Sequence, residues 1–515
     1  MTRARTLTGS TALGLVFLAT SAAADLTAAD VWGDWRSYMQ GMGYVVTATE
    51  TARGDTLAVT GIAVALAPDA ADGQDMTMTL GSLEFVEASD GTVEVVMPDT
   101  IPVTIRMTNE ELGQPATINM TYTQSGQRMI ASGTPEAMQY DYSADSFAVA
   151  LSNLSLETDD EEAAAAAESA RFTLSGQNLL STTGVTVAQV RQYVQNMTFD
   201  NFVYDAFFQS PDGPDQMALN LTANKIELGG TSALPADPIA SAGDITAMLD
   251  AGFAFDGTIR SEGAQTNIDL TGSDGQSKIT TGSANATFGV AMTPDGIRYD
   301  IASQEVAMAA QFAGFPLPLS ASMAQSGFTL RAPVLKGEDA QDFALGFNLT
   351  ELDLPDMIWG MVDPQGQLPH DPATVALDLT GKVKLLYDFL DPQVAANMAP
   401  GTVPGEIERV TINDLTVDAV GAEVNATGDV AFDNTDKTTL PGFPKPVGEI
   451  NIDLAGANAL LEKLAAMGLI PADQAMGARM MMGLFAVPGD APDTLKSTIT
   501  FSEDGRILAN GQQIR

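Results

Sequence analysis

The sequence contains no cysteine and a single histidine in 515 residues. Without thiols there is no disulfide framework, no thiolate metal site and no cysteine nucleophile. A hydrolytic triad needs a base to activate its nucleophile. The only histidine, His370, sits in Pro369-His370-Asp371-Pro372, a turn composition in which spacing identifies no partner. Positive charge is also scarce: 24 Lys and Arg stand against 66 Asp and Glu, a formal charge of −42. Such a surface repels nucleic acid and anionic head groups, so nucleic acid is excluded as a partner. Aromatic residues amount to 6%, with three Trp. No apolar run reaches the roughly 18–20 residues that a spanning helix requires, so no transmembrane segment is expected. A Gly-x-Ser-x-Gly elbow, a Ser-x-x-Lys pair, a phosphate-binding Gly-Lys loop and a dinucleotide fingerprint are all missing from any suitable context.

Hydrophobic residues make up 45% of the chain, enough for a large core and too many for a disordered acidic tail. Residues 1–24 have the form of a secretory signal peptide: Arg3 and Arg5, an apolar run from Ala12 to Ala19, then Ala22-Ala23-Ala24 before Asp25. The expectation is export, with cleavage near Ala24.

A helix is expected from Thr27 to about Gln40. Thr27 can cap it, and Asp30 falls where a carboxylate supports the first turn. Val31, Trp35, Tyr38 and Met42 recur on one face, flanked by Trp32 and Met39. From Tyr44 onward short alternating runs take over, separated by Asp-Gly pairs at Asp72, Asp90, Asp212, Asp256, Asp274, Asp295 and Asp504, a chemistry suited to tight hairpins. The clearest runs are 92–96, 116–122, 147–156, 216–221, 264–270, 328–332, 344–352, 374–379 and 420–430. Thr, Ser, Asn and Gln occupy their outward positions, as on a solvated sheet face. Further helices are expected at 159–170, 185–197, 244–251, 354–362, 385–398, 458–467 and 471–487. In the last pair Leu460 and Leu464 form one stripe, and Met476, Met480 and Leu484 another.

Candidate chemistry is thin. The run Asp159-Asp160-Glu161-Glu162 precedes an alanine-rich segment and suits the positive end of a helix dipole better than an acid–base pair. The turns holding Asp69, Asp72 and Asp75, and Asp433 with Asp436, are weak calcium-loop look-alikes that lack the closing bidentate Glu. The 24 Met residues fall largely on helical stripes without nearby His or Cys, pointing to a pliant core or an adaptable groove rather than a soft-metal site. No catalytic, cofactor or metal residues are assigned.

Thr134-Pro-Glu-Ala-Met-Gln-Tyr-Asp141 echoes Thr293-Pro-Asp-Gly-Ile-Arg-Tyr-Asp300. Two similar halves, 25–233 and 244–515, joined by the Pro/Ala/Gly-rich stretch 234–243, and one elongated sheet are both compatible with the pattern.

The carboxyl end, Val447 to Arg515, resembles an uncharacterised family of exported Gram-negative bacterial proteins catalogued as domain of unknown function 2125. The residues that carry the likeness are Leu460-Leu461-Glu-Lys-Leu464, Met467-Gly-Leu-Ile-Pro471, Gln474-Ala-Met-Gly-Ala-Arg-Met480 and Arg506-Ile-Leu-Ala-Asn-Gly-Gln-Gln-Ile-Arg515. Asp30-Val-Trp32, Trp35 and Gly43-Tyr44 repeat it at the amino end. The resemblance implies a periplasmic address and imports no activity or catalytic residue.

The fold expected is mainly β with peripheral α-helices: a large twisted antiparallel sheet curling into a groove or open barrel, its apolar face covered by helices. The function expected is non-enzymatic: holding an apolar ligand or lipid, or supporting the cell envelope. Trp32, Trp35, Tyr38, Leu460, Leu464, Met476, Met480 and Leu484 are the candidate groove lining. The alternatives are a carboxylate-based hydrolase acting on envelope polysaccharide, which needs two facing acids in an aromatic cleft, and a scaffold that presents its sheet to a protein partner.

Overall fold

The computed structural model describes residues 26–66, 75–108, 115–158, 161–210, 213–235, 245–315, 317–391, 394 and 403–515. The signal-peptide expectation, Asp69, Asp72 and the Asp159-Asp160 pair lie outside them.

Helix α1 (Ala28–Gly41) opens the chain. Thr27 Oγ1 accepts from the Asp30 amide at 3.2 Å and Asp30 Oδ2 accepts from the Thr27 amide at 3.0 Å, the reciprocal capping box that the sequence suggests. Leu26, Val31 and Trp32 are fully buried beneath it. At about 1.5–3 kcal/mol for each fully buried side chain, this one stripe anchors the amino end.

All strands of the described residues join one antiparallel sheet. Its first part is β1 (Tyr44–Arg53), β2 (Thr56–Leu66), β3 (Asp75–Thr79), β4 (Leu83–Glu87), β5 (Val93–Val96), β6 (Thr100–Thr108), β7 (Ala116–Ser125) and β8 (Arg128–Thr134). Here β3 and β4 share the edge of β2, β6 and β5 pair onward, and β7 and β8 share the edge of β9 (Ala137–Leu156). Each pair is thus one strand interrupted in the middle. Eight segments form a circuit of pairings around that interruption, which is a window in the sheet and not a closed barrel. Glutamine side chains satisfy the backbone there: Gln124 Nε2 donates to Pro98 O at 3.0 Å, and Gln127 Nε2 donates to Met97 O at 3.1 Å.

From β9 the chain is a long meander, each strand hydrogen-bonded to the next. It runs through β10 (Arg171–Thr186), β11 (Val190–Gln209), β12 (Gln216–Pro235), β13 (Ala254–Gly272), β14 (Gly275–Thr293), β15 (Gly296–Gln311), β16 (Leu319–Ala332), β17 (Gln341–Leu352), β18 (Ala373–Leu385), β19 (Gly405–Ala419), β20 (Ala422–Asp433) and β21 (Lys445–Ala455). β22 (Val487–Pro488) and β23 (Thr494–Phe501) follow, then β24 (Ile507–Ala509) and β25 (Gln512–Gln513). β12 and β13, on either side of the Pro/Ala/Gly-rich stretch, pair with each other through most of their length, so both belong to one sheet. The echoed Thr-Pro segments are both hairpin turns, between β8 and β9 and between β14 and β15.

Helices are few: α2 (Glu161–Ser169), α3 (Ile245–Asp250), α4 (Asp356–Val362), α5 (Ala457–Ala466) and α6 (Ala472–Phe485). Four sequence expectations are corrected. Residues 185–197 are not a helix but the facing ends of β10 and β11, where Val185 pairs with Tyr193 and the β-branched and aromatic content prevails. Leu385 ends β18 and residues 386–391 are not helical, because the Phe389 amide donates to Val334 O at 2.9 Å and Asp388 accepts from the Lys336 amide at 2.8 Å. The rest of that expected helix lies mostly outside the described residues. Asp256-Gly257 is strand interior, not a turn. Val420 is a left-handed turn residue with φ +50°, and β20 begins at Ala422.

Candidate functional site

The long strands are creased along one line. Gly126 between β7 and β8, Asn178, Asn201, Gly263 and Glu305 within long strands, and Glu351 at the end of β17 all have φ between +50° and +61°. The register aligns them: Asn178 falls opposite Asp145, Asn201 opposite Asn224, Asn224 opposite Gly263, and Glu305 opposite Ala324. A left-handed residue inserted in a strand bends it and shifts its alternation by one. In β13 the groove-facing residues are therefore Ile259 and Ser261, then Ala264 and Thr266. Both arms of β12, β13, β14 and β15 turn one face into a common trough.

Gly263 shows how tightly the crease is built. A Cβ there would lie 2.2 Å from Asn224 Nδ2 and 2.9 Å from its Cγ. Gly263→Val is expected to cost about 2 kcal/mol or more, since a left-handed backbone alone costs an L-residue about 1–2 kcal/mol and β-branching worsens it. Gly263→Asn, which tolerates that backbone, should cost less. Urea unfolding of the two variants checks the order.

Across the trough, the register lines up Met197, Leu228, Ile259, Phe288, Ile301, Phe328, Phe347, Leu377, Leu415, Ala426 and Ile452, one residue per strand from β11 to β21. Ten inter-strand spacings of about 4.8 Å make this ladder on the order of 48 Å long. Ile259, Phe288, Ile301 and Phe347 are each about 40% exposed although apolar (42%, 41%, 44% and 39%). A contiguous exposed apolar face of this kind marks a binding surface. Two cavities open along it. One of about 590 Å³ straddles the crease from Leu174 and Phe202 to Val306, and one of about 280 Å³ lies beside it between Met197 and Phe288. They share Leu228 and Ile259 and so form one continuous depression. Apart from Glu305 and Glu351 on the crease itself, the strand residues of this face carry no charge from β12 to β17. The charged ones, such as Lys225, Arg260, Lys278 and Arg298, take the alternate positions on the outer face.

Helices close both ends of the trough. At the amino end α1 lies inside the curl of the sheet, with Trp35 against Phe85 and Tyr140 and Tyr38 against Tyr193. Asp34, 5% exposed in its side chain, pairs with Arg191 of β11 and accepts from Tyr140 Oη at 3.0 Å. Burial, and then the Asp34 carboxylate, push the Tyr140 hydroxyl far above its ordinary range. Burial would lower the Arg191 guanidinium, but the hydrogen bond and charge of Asp34 outweigh it. At the carboxyl end α5 touches β20, and Ser497 of β23, aligned with Ile452, donates to Phe485 O at the end of α6 at 2.6 Å.

The candidate lining residues are thus divided. Trp32 is core, its Nε1 donating to Glu50 Oε1 at 2.8 Å, and Trp35 and Tyr38 belong to the plug. Leu460 and Leu464 are half-buried, whereas Met476, Met480 and Leu484 are exposed on α6. The ladder itself was not among the expected residues, although a signal existed: counting outward from the Asp295-Gly296 turn pairs Phe288 with Ile301.

His370 has a partner that its spacing hid. Its ring stacks on Trp359 at 4.3 Å, and its Nε2 lies 3.4 Å from Asp363 Oδ2. Asp363 is buried, and the Leu368 amide donating to it holds its carboxyl below the usual range. Asp433 and Asp436 spend oxygens on Thr435, Thr438 and Thr439. Among the described residues no three metal-ligating His, Cys, Asp or Glu side chains converge, and no helix is long and apolar enough to cross a membrane.

No curated protein and no solved structure matches the chain. A family model described as "Uncharacterized protein conserved in bacteria (DUF2125)" matches residues 249–511, from the end of α3 to the turn after β24 and just over half of the 515-residue chain. The apolar trough and its carboxyl-terminal helices therefore lie largely within the matched region, and the chain belongs to that family.

Proposed function

We propose that the protein is an exported, periplasmic, non-enzymatic carrier that shelters the acyl chains of lipids in the creased groove. The observation that carries this reading is the uncharged ladder from Met197 to Ile452, open to solvent and closed at each end by a helix. At about 48 Å it exceeds the roughly 30 Å thickness that two opposed leaflets of acyl chains give a bilayer core. More than one chain fits along it. Export rests on the form of residues 1–24. A hydrolase working with two facing carboxylates gains no support from the two cavities, whose lining includes no Asp or Glu; the crease carboxylates Glu305 and Glu351 lie outside that lining.

The test is gentle purification of the full chain followed by native mass spectrometry and solvent extraction. Phospholipid is expected to travel with the protein in more than one copy. Protein recovered bare, and unable to take up lipid from vesicles, overturns the reading.

A further inference from the structure

We infer that the groove selects lipids whose head groups carry no net negative charge, zwitterionic or neutral; this rests on the acyl-chain reading above. Acyl chains lying along the floor leave their head groups at the rims, where the strands end. On the rim formed by the connections from β9 to β16, the described residues include Glu157, Glu161, Glu168, Asp215 and Asp274, all exposed, and no Lys or Arg. Arg171, the first residue of β10, turns its guanidinium to the Glu168 and Ala170 carbonyls. On the opposite rim Lys336 lies 2.9 Å from Asp388 and is neutralised by it.

The cations of the intervening strands give no help. Lys225 pairs with Glu227, Lys278 with Asp269, and Arg298 with Asp256 and Asp300, all on the outer face. Arg260 and Arg331, without an ion pair among the described residues, take outer-face positions in the same register. A phosphodiester with no compensating ammonium thus meets an excess of like charge at the rim and no cation among the described residues of the groove face between β12 and β17. A head group that adds an ammonium gains partners in the rim carboxylates. Because the rim is exposed, the discrimination is screened by salt.

The experiment offers the full chain two sets of vesicles with identical acyl chains, phosphatidylethanolamine in one and phosphatidylglycerol in the other. Protein-bound lipid is then counted by mass spectrometry. At about 0.01 M salt, where screening extends to about 30 Å, ethanolamine lipid is expected to load about tenfold better. At about 1 M salt, where screening shortens to about 3 Å, the difference should close. The combined variant Glu157→Lys, Glu168→Lys and Asp215→Lys, confined to exposed connections, should raise phosphatidylglycerol loading at low salt. Equal loading of the two lipids at low salt, or a preference for the glycerol lipid, overturns the head-group inference and leaves the groove reading standing. Loading of neither lipid overturns the groove reading, and this inference with it.

Discussion

Asp34→Ala is expected to loosen the amino-terminal end of the protein by about 3–5 kcal/mol, the cost of removing one partner from a buried ion pair. Asp34 holds two groups, the Arg191 guanidinium and the Tyr140 hydroxyl, and both are largely withdrawn from water. Arg191 Nε and Tyr193 Oη already lack a partner inside this cluster, so no neighbour stands ready to replace the lost carboxylate. The loss should be local, because α1 packs mainly on β1, β2 and β4 and meets β11 through this pair and the Tyr38–Tyr193 contact. Hydrogen exchange should rise in residues 26–53 and stay unchanged in β13–β21. Unchanged exchange at α1 would show that the aromatic contacts alone hold the plug. The double variant Asp34→Leu and Arg191→Met, which removes both charges, should recover most of the stability.

Tyr140 and Tyr193 of this cluster, with Tyr142 bonded to Tyr122 and Gln124, set a pH limit. Burial is the leading cause of the raised hydroxyls of Tyr140, Tyr142 and Tyr193. In the unfolded chain tyrosine gives up its proton near pH 10, while the folded protein holds it beyond that point. The folded state therefore binds more protons above about pH 10, and its stability falls as pH rises further. Below that range these tyrosines make stability insensitive to pH. An alkaline titration of the unfolding midpoint checks the sign.

The fold was partly legible because hairpin chemistry is local. The Asp90, Asp274, Asp295 and Asp504 turns are where their Asp-Gly pairs point, and the capping box of α1 is written in Thr27 and Asp30. Strand length was not legible. The run 216–221 is only the first arm of β12, and 264–270 only the second arm of β13. At the crease the alternation slips by one residue, so a search for strict period two ends there although the strand continues. In β10, β11, β15 and β17 the left-handed position holds Asn or Glu, so no glycine marks the bend there. The groove floor was hidden for a related reason: its residues come from eleven strands and meet only through cross-strand register. Helical stripes announce themselves in one short segment, which is why α1, α5 and α6 attracted the site expectations and the ladder did not.

Charging the floor separates a groove that binds from a sheet face that merely happens to be apolar. Ile259→Asp together with Phe288→Asp places two carboxylates side by side, one in the wall shared by both cavities and one in the wall of the smaller. Both native side chains are about 40% exposed (42% and 41%), so their removal opens no sealed core. The unfolding midpoint should move by about 0.5–1 kcal/mol, as for surface substitutions. Bound lipid should respond far more strongly. An acyl chain laid over the variant floor strips water from carboxylates that have no counter-charge on that face, a cost of several kcal/mol, and each 1.4 kcal/mol is about tenfold in affinity. Lipid recovered with the protein is therefore expected to drop at least tenfold. Thr287→Asp lies one residue from Phe288 on the outer face, opposite Arg260, and should leave lipid content unchanged. If the outer and inner substitutions deplete lipid equally, the lipid is held by general surface adhesion and the trough has no claim on it. A large loss from the inner pair alone ties binding to the face that the crease creates.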